Sequence, residues 1–326
     1  MFDIVLIIFL TFVFDLKFGD PRNNLHPTAW TGLVISKLVN ISLCYKQNQK
    51  FLGVVLTIIT VILILILLCI VIYLINFVSI NYIDDYILHV LLALLSTTLL
   101  FKTTISIHGM EKHSLFVVHA LNKNDYVDAR KKLSLIVSRD TTKLDKNHII
   151  SAVLESIGEN IVDGITAPLF YFILFGIHGA FVYRTINTID SMIGYKTEPF
   201  KDLGWFGANC DTLLNYLPSR ITAYIIVFCS IIFGYDWKNS MKVMKRDNVK
   251  TDSYNSGYTM SALAGALQIK LEKIDHYVIG DGTINLTVET IKHALRLMKI
   301  TSAVFCILLL VSKFLLFYYF GWIFYV

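Results

Sequence analysis

Charged residues are scarce in this chain of 326 residues. Asp, Glu, Lys and Arg make up 16% of it and hydrophobic residues 55%, and the mean hydropathy is +0.62. Soluble domains carry roughly 25% charged residues, so the composition excludes an ordinary soluble protein and indicates an integral membrane protein. The net charge of +5 is small. Because no basic run is interleaved with aromatic residues, a nucleic-acid partner is not expected.

Paired cysteines and the common nucleotide and hydrolase motifs are also missing. The five cysteines are scattered and form no CxxC pair, which excludes a disulfide framework and a zinc site. The sequence contains no GxxxxGK[ST], HExxH or GxSxG motif and no GxGxxG after a strand, so a nucleotide site here is not a P-loop. Carboxylates, amides and isolated cations remain, a set suited to holding Mg²⁺ and bridging it to phosphate.

Long apolar runs predict an all-α, polytopic membrane protein. Residues 52–78 contain no charged side chain and exceed the roughly 20 residues that a bilayer requires. Shorter apolar runs cover residues 2–14, 87–101, 165–183, 221–234 and 301–326. We therefore expect about five or six membrane segments within one integral membrane domain, residues 1–326. The oligomeric state stays open.

The distribution of positive charge predicts the orientation. If the segments alternate, one side holds 24 Lys and Arg residues and the other four, so the positive-inside rule places the polar loops 102–163 and 236–300 in the cytoplasm. Amphipathic helices are expected there, including one over residues 125–138, with residues 138–141 capping the next. Strict alternation would put the polar groups before and after residues 165–183 on opposite sides. Since Pro168, Gly176 and Gly179 interrupt this segment, a re-entrant or broken segment is expected.

Acids and amides concentrate in three places. On a helix, Ser151, Glu155, Glu159 and Asp163 share one face, because each lies four residues from the next. Tyr183, Arg184, Asn187, Asp190 and Ser191 share an arc of a second helix, and Asp211, Asn215 and Arg220 surround Pro218. Polar groups beside lipid are costly without partners, so we expect one shared polar site. A solvated face is the alternative for the first group.

Two further stretches are candidates for the same site. Asp20, Arg22 and His26 lie in a loop with two X-Pro steps, either at the mouth of a site or in an ordinary turn after a membrane helix. Arg139 leads into the acidic helix and is a candidate phosphate contact.

Several sequence blocks closely resemble the cobinamide-phosphate synthase family of cobalamin biosynthesis. The most specific are residues 155–164 (ESIGENIVDG) and 183–196 (YRTINTIDSMIGYK). Further matching blocks follow in the family's order: GDP at 19–21 with HP at 26–27, SRDT at 138–141, APLFY at 167–171, NYLPSR at 215–220, NSG at 255–257 and ALAGAL at 262–267. The resemblance covers nearly the whole chain.

The resemblance implies a cell-membrane enzyme with its active site on the cytoplasmic side. Such an enzyme joins adenosylcobyric acid, a corrinoid, to (R)-1-amino-2-propanol phosphate or a similar amino-alcohol phosphate through an amide bond, using ATP and Mg²⁺. The implied Mg²⁺ ligands are Glu155, Glu159, Asp163 and Asp190. Asn160 and Asn187 would orient oxygens beside Ser191. The implied substrate and phosphate contacts are Asp20, His26, Arg139, Arg184, Lys196, Asp211, Asn215, Arg220 and Asn255.

Departures from the family pattern leave alternatives open. The family's Ala-Arg-x-Asp-Asp is ANCDT at residues 208–212, so Asn209 and Thr212 replace an Arg and an Asp. Ser219 and Gly158 each replace an Ala. A relative that amidates a different acid, or that only binds a ligand, is one alternative. A transporter with Asp190 or His178 as coupling residue is another, and the lack of an evident inverted repeat weighs against it.

Overall fold

The computed structural model describes residues 2–21, 26–45 and 47–320. Their helices are α1 (Phe2–Phe18), α2 (Pro27–Leu43), α3 (Gln49–Tyr82), α4 (Tyr86–Lys102), α5 (Ile107–Asn122), α6 (Tyr126–Leu133), α7 (Lys146–Ile161), α8 (Ala167–Ile193), α9 (Trp205–Ile232), α10 (Trp237–Asp247), α11 (Tyr254–Ala266) and α12 (Val288–Phe320). A π-helical turn, Val162–Thr166, joins α7 to α8, and strands β1 (Leu271–Lys273) and β2 (Tyr277–Ile279) form one hairpin.

Five segments are long and apolar enough to cross a membrane, by length and composition. They are Gln49–Tyr82, Tyr86–Asn122, Lys146–Ile193, Trp205–Ile232 and Val288–Leu315. The prediction of an all-α, multi-pass membrane protein is therefore confirmed. The β hairpin is the departure from it. Each strand has three residues, and Asp275 in the connecting loop has φ +62°, so the pattern is too short for periodicity to reveal.

Two compact units make up the chain. The first comprises Met1–Ser106, Pro168–Leu214 and Leu309–Val326, and the second Ile107–Ala167 and Asn215–Leu308. Sequence reasoning, which treats residues 1–326 as one membrane domain, does not anticipate this division.

The first unit is organised around an apolar core from α2, α3 and α8. Its buried members are Ile35, Val39, Leu56, Ile189, Ile193 and Leu203. Gly53 allows α3 to approach this core closely, because a Cβ there would lie 2.1 Å from the carbonyl oxygen of Leu203. Backbone contact of this kind requires glycine.

Helix α8 doubles back on itself at Gly176. This glycine has φ +63°, outside the helical region. The rings of Tyr171 and Tyr183 stack with their centroids 5.4 Å apart, whereas twelve residues of straight helix span about 18 Å. The segment is thus a helical hairpin, in agreement with the expected break in residues 165–183. Because a hairpin need not cross the bilayer, strict alternation of sides through this segment no longer follows.

Side chains bond to backbone carbonyls at the two irregular points of these helices. Lys313 of α12 donates to the carbonyl of Ile173, at 2.9 Å, just before the break in α8. Pro218 lacks the N–H that would bond to the carbonyl of Leu214, and the hydroxyl of Tyr171 donates to that carbonyl instead, at 2.9 Å. Irregular backbone at membrane depth requires such partners.

In the second unit, α7 packs against α5, α6, α11 and β1. Gly158 brings α7 close to α11, since a Cβ at this position would lie 2.9 Å from Cγ of Met260 and 3.1 Å from its Cα. The Gly at this family Ala position therefore fits a tight helix crossing.

The polar loop before α7 differs from the expectation in its boundaries. The amphipathic helix expected over residues 125–138 is shorter, and Asp125 caps it by accepting from the N–H of Asp128 at 2.9 Å. The prediction that residues 138–141 cap the next helix was wrong. That cap is Asp145, whose carboxylate accepts from the N–H of His148 at 2.9 Å.

Candidate functional site

Asp20 and His26, predicted to lie near a site, meet in the first unit. Lys102 Nζ donates to Asp20 Oδ1 at 2.6 Å, and His26 Nε2 lies 3.7 Å from the same oxygen. Lys102 is buried and also lies 3.4 Å from Asp15. Burial opposes ionisation of Asp20, but the hydrogen bonds from His26 and Lys102 outweigh it and hold its pKa well below the usual range. Arg22 lies outside the described residues.

His26 is also a helix cap. Its Nδ1 accepts from the N–H of Thr28 at 3.2 Å, and Pro27 occupies the first position of α2, where its missing N–H is tolerated. The local sequence therefore gives this histidine a structural role in addition to its position beside Asp20.

A chain of hydrogen bonds joins Arg184, Asn187 and Asp211 in the first unit. Arg184 Nη1 donates to Asn187 Oδ1 at 3.3 Å, and Asn187 Nδ2 donates to Asp211 Oδ1 at 3.2 Å. Asn187 and Asp211 are only 5% and 8% exposed. The amide thus lies between a cation and an acid, and we call these three residues the Asn187 chain.

The neighbours of the Asn187 chain occupy different environments. Asp190 is partly buried, and a Cβ at Gly194 would lie 2.0 Å from its Oδ1, so this glycine leaves room for the carboxylate. Ser191 donates to the carbonyl of Asn187 at 2.8 Å, and Lys196 is exposed.

Two of the four departures from the family pattern lie at exposed positions of α9. Asn209 and Thr212 are exposed, and each donates to a carbonyl of its own helix, to Trp205 at 2.7 Å and to Ala208 at 2.8 Å. Asp211, which the chain retains from the family pattern, is the residue that reaches Asn187.

Glu155, in the second unit, is a buried carboxylate bonded by three side chains. Oε1 accepts from Ser151 at 2.8 Å, and Oε2 accepts from Arg139 at 2.7 Å and from the Tyr277 hydroxyl at 2.9 Å. Glu155 is 4% exposed. Burial and the neighbouring charge of Glu155 raise the pKa of Tyr277, so its hydroxyl stays protonated and donates. We call Arg139, Glu155 and Tyr277 the Glu155 cluster.

The remaining polar residues of α7 follow it toward the π-helical turn. Glu159 is exposed, Asp163 is partly buried, and Asn160 Nδ2 donates to the carbonyl of Ser156 at 2.9 Å. Within the described ranges, no group of three or more His, Cys, Asp and Glu side chains is arranged to hold a metal ion. Assignment of Glu155, Glu159, Asp163 and Asp190 as Mg²⁺ ligands stays a prediction.

Arg220 lies between two tyrosine rings in the second unit. Its guanidinium carbon lies 3.6 Å from the ring centroid of Tyr216 and 4.5 Å from that of Tyr258. Nη1 donates to Asn255 Oδ1 at 3.1 Å. Ser219, in place of the family Ala, is buried with its Oγ 3.4 Å from the same oxygen. Both rings lie within the distance at which a cation is attracted to an aromatic ring.

The structure therefore brings predicted residues together in four groups, two in each unit. They are Asp20 with His26, the Asn187 chain, Arg139 with Glu155, and Arg220 with Asn255. Asn215 is buried near the proline of α9. The single shared site stays a prediction. Sequence reasoning missed Tyr277, Lys102 and Tyr258, because none of them belongs to a recognised block. It also missed Tyr216, which lies within NYLPSR but carries neither an acid nor an amide.

The helices and buried polar clusters define a multi-pass membrane protein with ionisable groups held in its helical units. The chain belongs to the CobD/Cbib protein family, whose model matches residues 8–305. It is 39% identical to a probable cobalamin biosynthesis protein CobD of Methanothermobacter thermautotrophicus over 301 residues, 92% of this chain and 95% of that one. It is 35% identical to the cobalamin biosynthesis protein CobD of Dehalococcoides mccartyi over 313 residues, 95% and 96% of the two chains. No solved structure matches the chain.

Proposed function

We propose that this protein is an adenosylcobinamide-phosphate synthase. It joins the carboxyl group of adenosylcobyric acid to the amine of (R)-1-amino-2-propanol phosphate, or a similar amino-alcohol phosphate, with consumption of ATP. It acts in the cell membrane, with its active site on the cytoplasmic side. The proposal rests on membership of the CobD/Cbib family together with the resemblance of residues 155–164 and 183–196 to the synthase blocks.

The observation that most supports the proposal is the intact Asn187 chain. Asn209 and Thr212 stand where the family has an Arg and an Asp, and these two changes remove charged groups from one block of the family pattern. The retained Asp211 bonds Asn187, while Asn209 and Thr212 are exposed and bond to their own helix. The buried hydrogen bond between Asn187 and Asp211 is therefore retained in this block, although positions 209 and 212 differ from the family pattern.

The chemistry requires activation of an acid. A carboxylate is a poor acyl donor, because an oxide is a poor leaving group. Transfer of a phosphoryl or adenylyl group from ATP to a carboxylate oxygen breaks a P–O bond of ATP, releases ADP or pyrophosphate respectively, and supplies a better leaving group. The amine then attacks the carbonyl carbon, the C–N bond forms, and phosphate or AMP leaves with the electron pair of the broken C–O bond. The amine loses one proton to a base.

The chain supplies cations and acids for these steps. Arg139, Arg184, Lys196 and Arg220 would neutralise phosphate charge, which electrostatic catalysis of phosphoryl transfer requires. Arg220 lies within cation–π distance of two tyrosine rings, and its planar guanidinium is suited to bidentate contact with an anion. Glu159, Asp163 and Asp190 are less deeply buried than Glu155 and are the candidate bases.

The donor set fits Mg²⁺ that is shared with a phosphate substrate. Mg²⁺ is usually held by one or two carboxylates together with substrate phosphates and water, so no complete protein cage is required. Glu159 and Asp163, both in the second unit, would hold the ion, which, when bound, offsets charge on the phosphates. Glu155 fits this role less well, because both of its oxygens already accept hydrogen bonds.

An amide-forming assay tests the proposal. Purified protein in detergent is incubated with adenosylcobyric acid, (R)-1-amino-2-propanol phosphate, ATP and Mg²⁺, and the product is identified by mass. We expect product from the wild type, ATP consumption only when both organic substrates are present, and at least a roughly 100-fold loss of rate in Asp190→Asn and Glu159→Gln.

Two controls make the assay decisive. Lys196→Gln changes an exposed cation and is expected to weaken phosphate affinity more than the maximal rate. A CobD relative with the family Arg and Asp-Asp residues is assayed in parallel. If the relative forms product and this folded protein does not, the proposed reaction is wrong for this chain.

A further inference from the structure

The β hairpin is attached to the middle of α7 through its backbone. The N–H of Glu272 donates to Ser151 Oγ at 2.7 Å, and the same hydroxyl donates to Glu155 Oε1 at 2.8 Å. Lys273 pairs with Tyr277 across the hairpin. One serine therefore ties β1 both to α7 and to the buried carboxylate.

Tyr277 supplies the second attachment, at the first residue of β2. Its hydroxyl donates to Glu155 Oε2 at 2.9 Å, and Lys273 Nζ lies 5.7 Å from its ring centroid. The hairpin therefore reaches each oxygen of Glu155, one directly and one through Ser151.

Arg139 has hydrogen-bond donors that its bond to Glu155 does not use. Its Nη2 donates to Glu155 Oε2 at 2.7 Å, and its side chain is 20% exposed. Within residues 2–21, 26–45 and 47–320, neither Nε nor Nη1 of Arg139 has a hydrogen-bond acceptor in the protein. A buried carboxylate that holds one edge of a guanidinium leaves its other donors orientated for an anion.

We propose that Tyr277 is a positioning residue that holds Glu155 in place and, through it, orientates Arg139 toward a phosphate group of a substrate. The hairpin, which no family block identifies, thereby becomes part of the binding site. This inference rests on the proposed function for the identity of the phosphate ligand. ATP and (R)-1-amino-2-propanol phosphate share the same chemistry, so the experiment separates them.

Binding measurements test the inference without turnover. ATP and (R)-1-amino-2-propanol phosphate are titrated separately, by calorimetry, into wild type, Tyr277→Phe, Arg139→Lys and the double variant. Tyr277→Phe removes one hydroxyl and keeps the ring. We expect about a 10-fold rise in Kd for one of the two ligands in each single variant, from the loss of a hydrogen bond to a charged group.

The double variant distinguishes positioning from a structural role. If Tyr277 acts through Glu155 on Arg139, the double variant binds no more weakly than Arg139→Lys alone. Tyr235→Phe is the matched control, because this hydroxyl also has one hydrogen bond, 3.2 Å from His293 Nδ1. It is expected to change Kd less than twofold.

Three outcomes would overturn the inference: equal effects of Tyr277→Phe and Tyr235→Phe, multiplicative effects in the double variant, or a wild type that binds neither ligand. A wild type that binds both ligands and shows the coupling, yet forms no amide, would refute the proposed function alone.

Discussion

Replacement of Asn187 by Ala tests whether the Asn187 chain organises the first unit. The amide bonds Arg184 at 3.3 Å and Asp211 at 3.2 Å, and it is 5% exposed. The substitution removes both hydrogen bonds and buries an apolar methyl group between a cation and an acid. We expect lower stability together with loss of activity.

The size of the effect follows from the two bonds. Hydrogen bonds to charged groups contribute about 1.5–3 kcal/mol each, and both distances are long, so the lower end applies. Ala also has the higher helix propensity, by about 0.5 kcal/mol. The expected fall in the free energy of unfolding is therefore about 2.5 kcal/mol, or roughly 70-fold in the ratio of folded to unfolded protein.

Asn209→Ala is the matched control on α9. This asparagine is exposed, and it donates to the carbonyl of Trp205, one turn earlier. Its loss is expected to change the free energy of unfolding by less than about 0.5 kcal/mol. Unfolding in detergent and the amide-forming assay are measured for both variants. Equal effects of the two substitutions would refute the reasoning, because the buried hydrogen bonds of Asn187 would then contribute no more stability than the exposed bond of Asn209.

Two further predictions concern the first unit. Asp20→Asn should lower the free energy of unfolding at pH 7 by about 1 kcal/mol. Because the folded pKa of Asp20 is depressed, its contribution is fully present above the ordinary value of 3.8 and is lost as the pH falls from there through the folded pKa. Unfolding of the variant should therefore depend less on pH than unfolding of the wild type below about pH 4. Gly176→Ala should lower the free energy of unfolding by about 1–2 kcal/mol. The cause is the positive φ alone, since nothing lies within 4 Å of the added Cβ. An unchanged unfolding temperature in detergent would contradict the turn at this residue.

Membrane segments were predictable because their signal is local. The apolar run 52–78 lies within α3, and the segment interrupted by Gly176 is indeed broken. Helix ends were less predictable. Asp145, rather than a residue of 138–141, caps α7, because several Asp and Ser residues in one loop offer equivalent local caps.

The polar faces were likewise predictable, but not the partners of each residue. Period-four spacing identifies the acidic face of α7, yet Arg139 and Tyr277 lie 16 and 122 residues from Glu155. Contacts at such separations depend on tertiary packing, which no local pattern encodes. The expected contact of Arg139 with phosphate stays a prediction, and in the structure its guanidinium donates to Glu155.

The departures from the family pattern differ in burial as well as in chemistry. A lost Arg and a lost Asp are chemically large changes, whereas Ala to Ser is small. In the structure, the small change is the buried one: Ser219 is buried, with its Oγ 3.4 Å from Asn255 Oδ1, whereas Asn209 and Thr212 are exposed. Since a buried polar group must find partners and an exposed one need not, the position of a substitution in the fold decides its effect on these clusters more than its chemistry does.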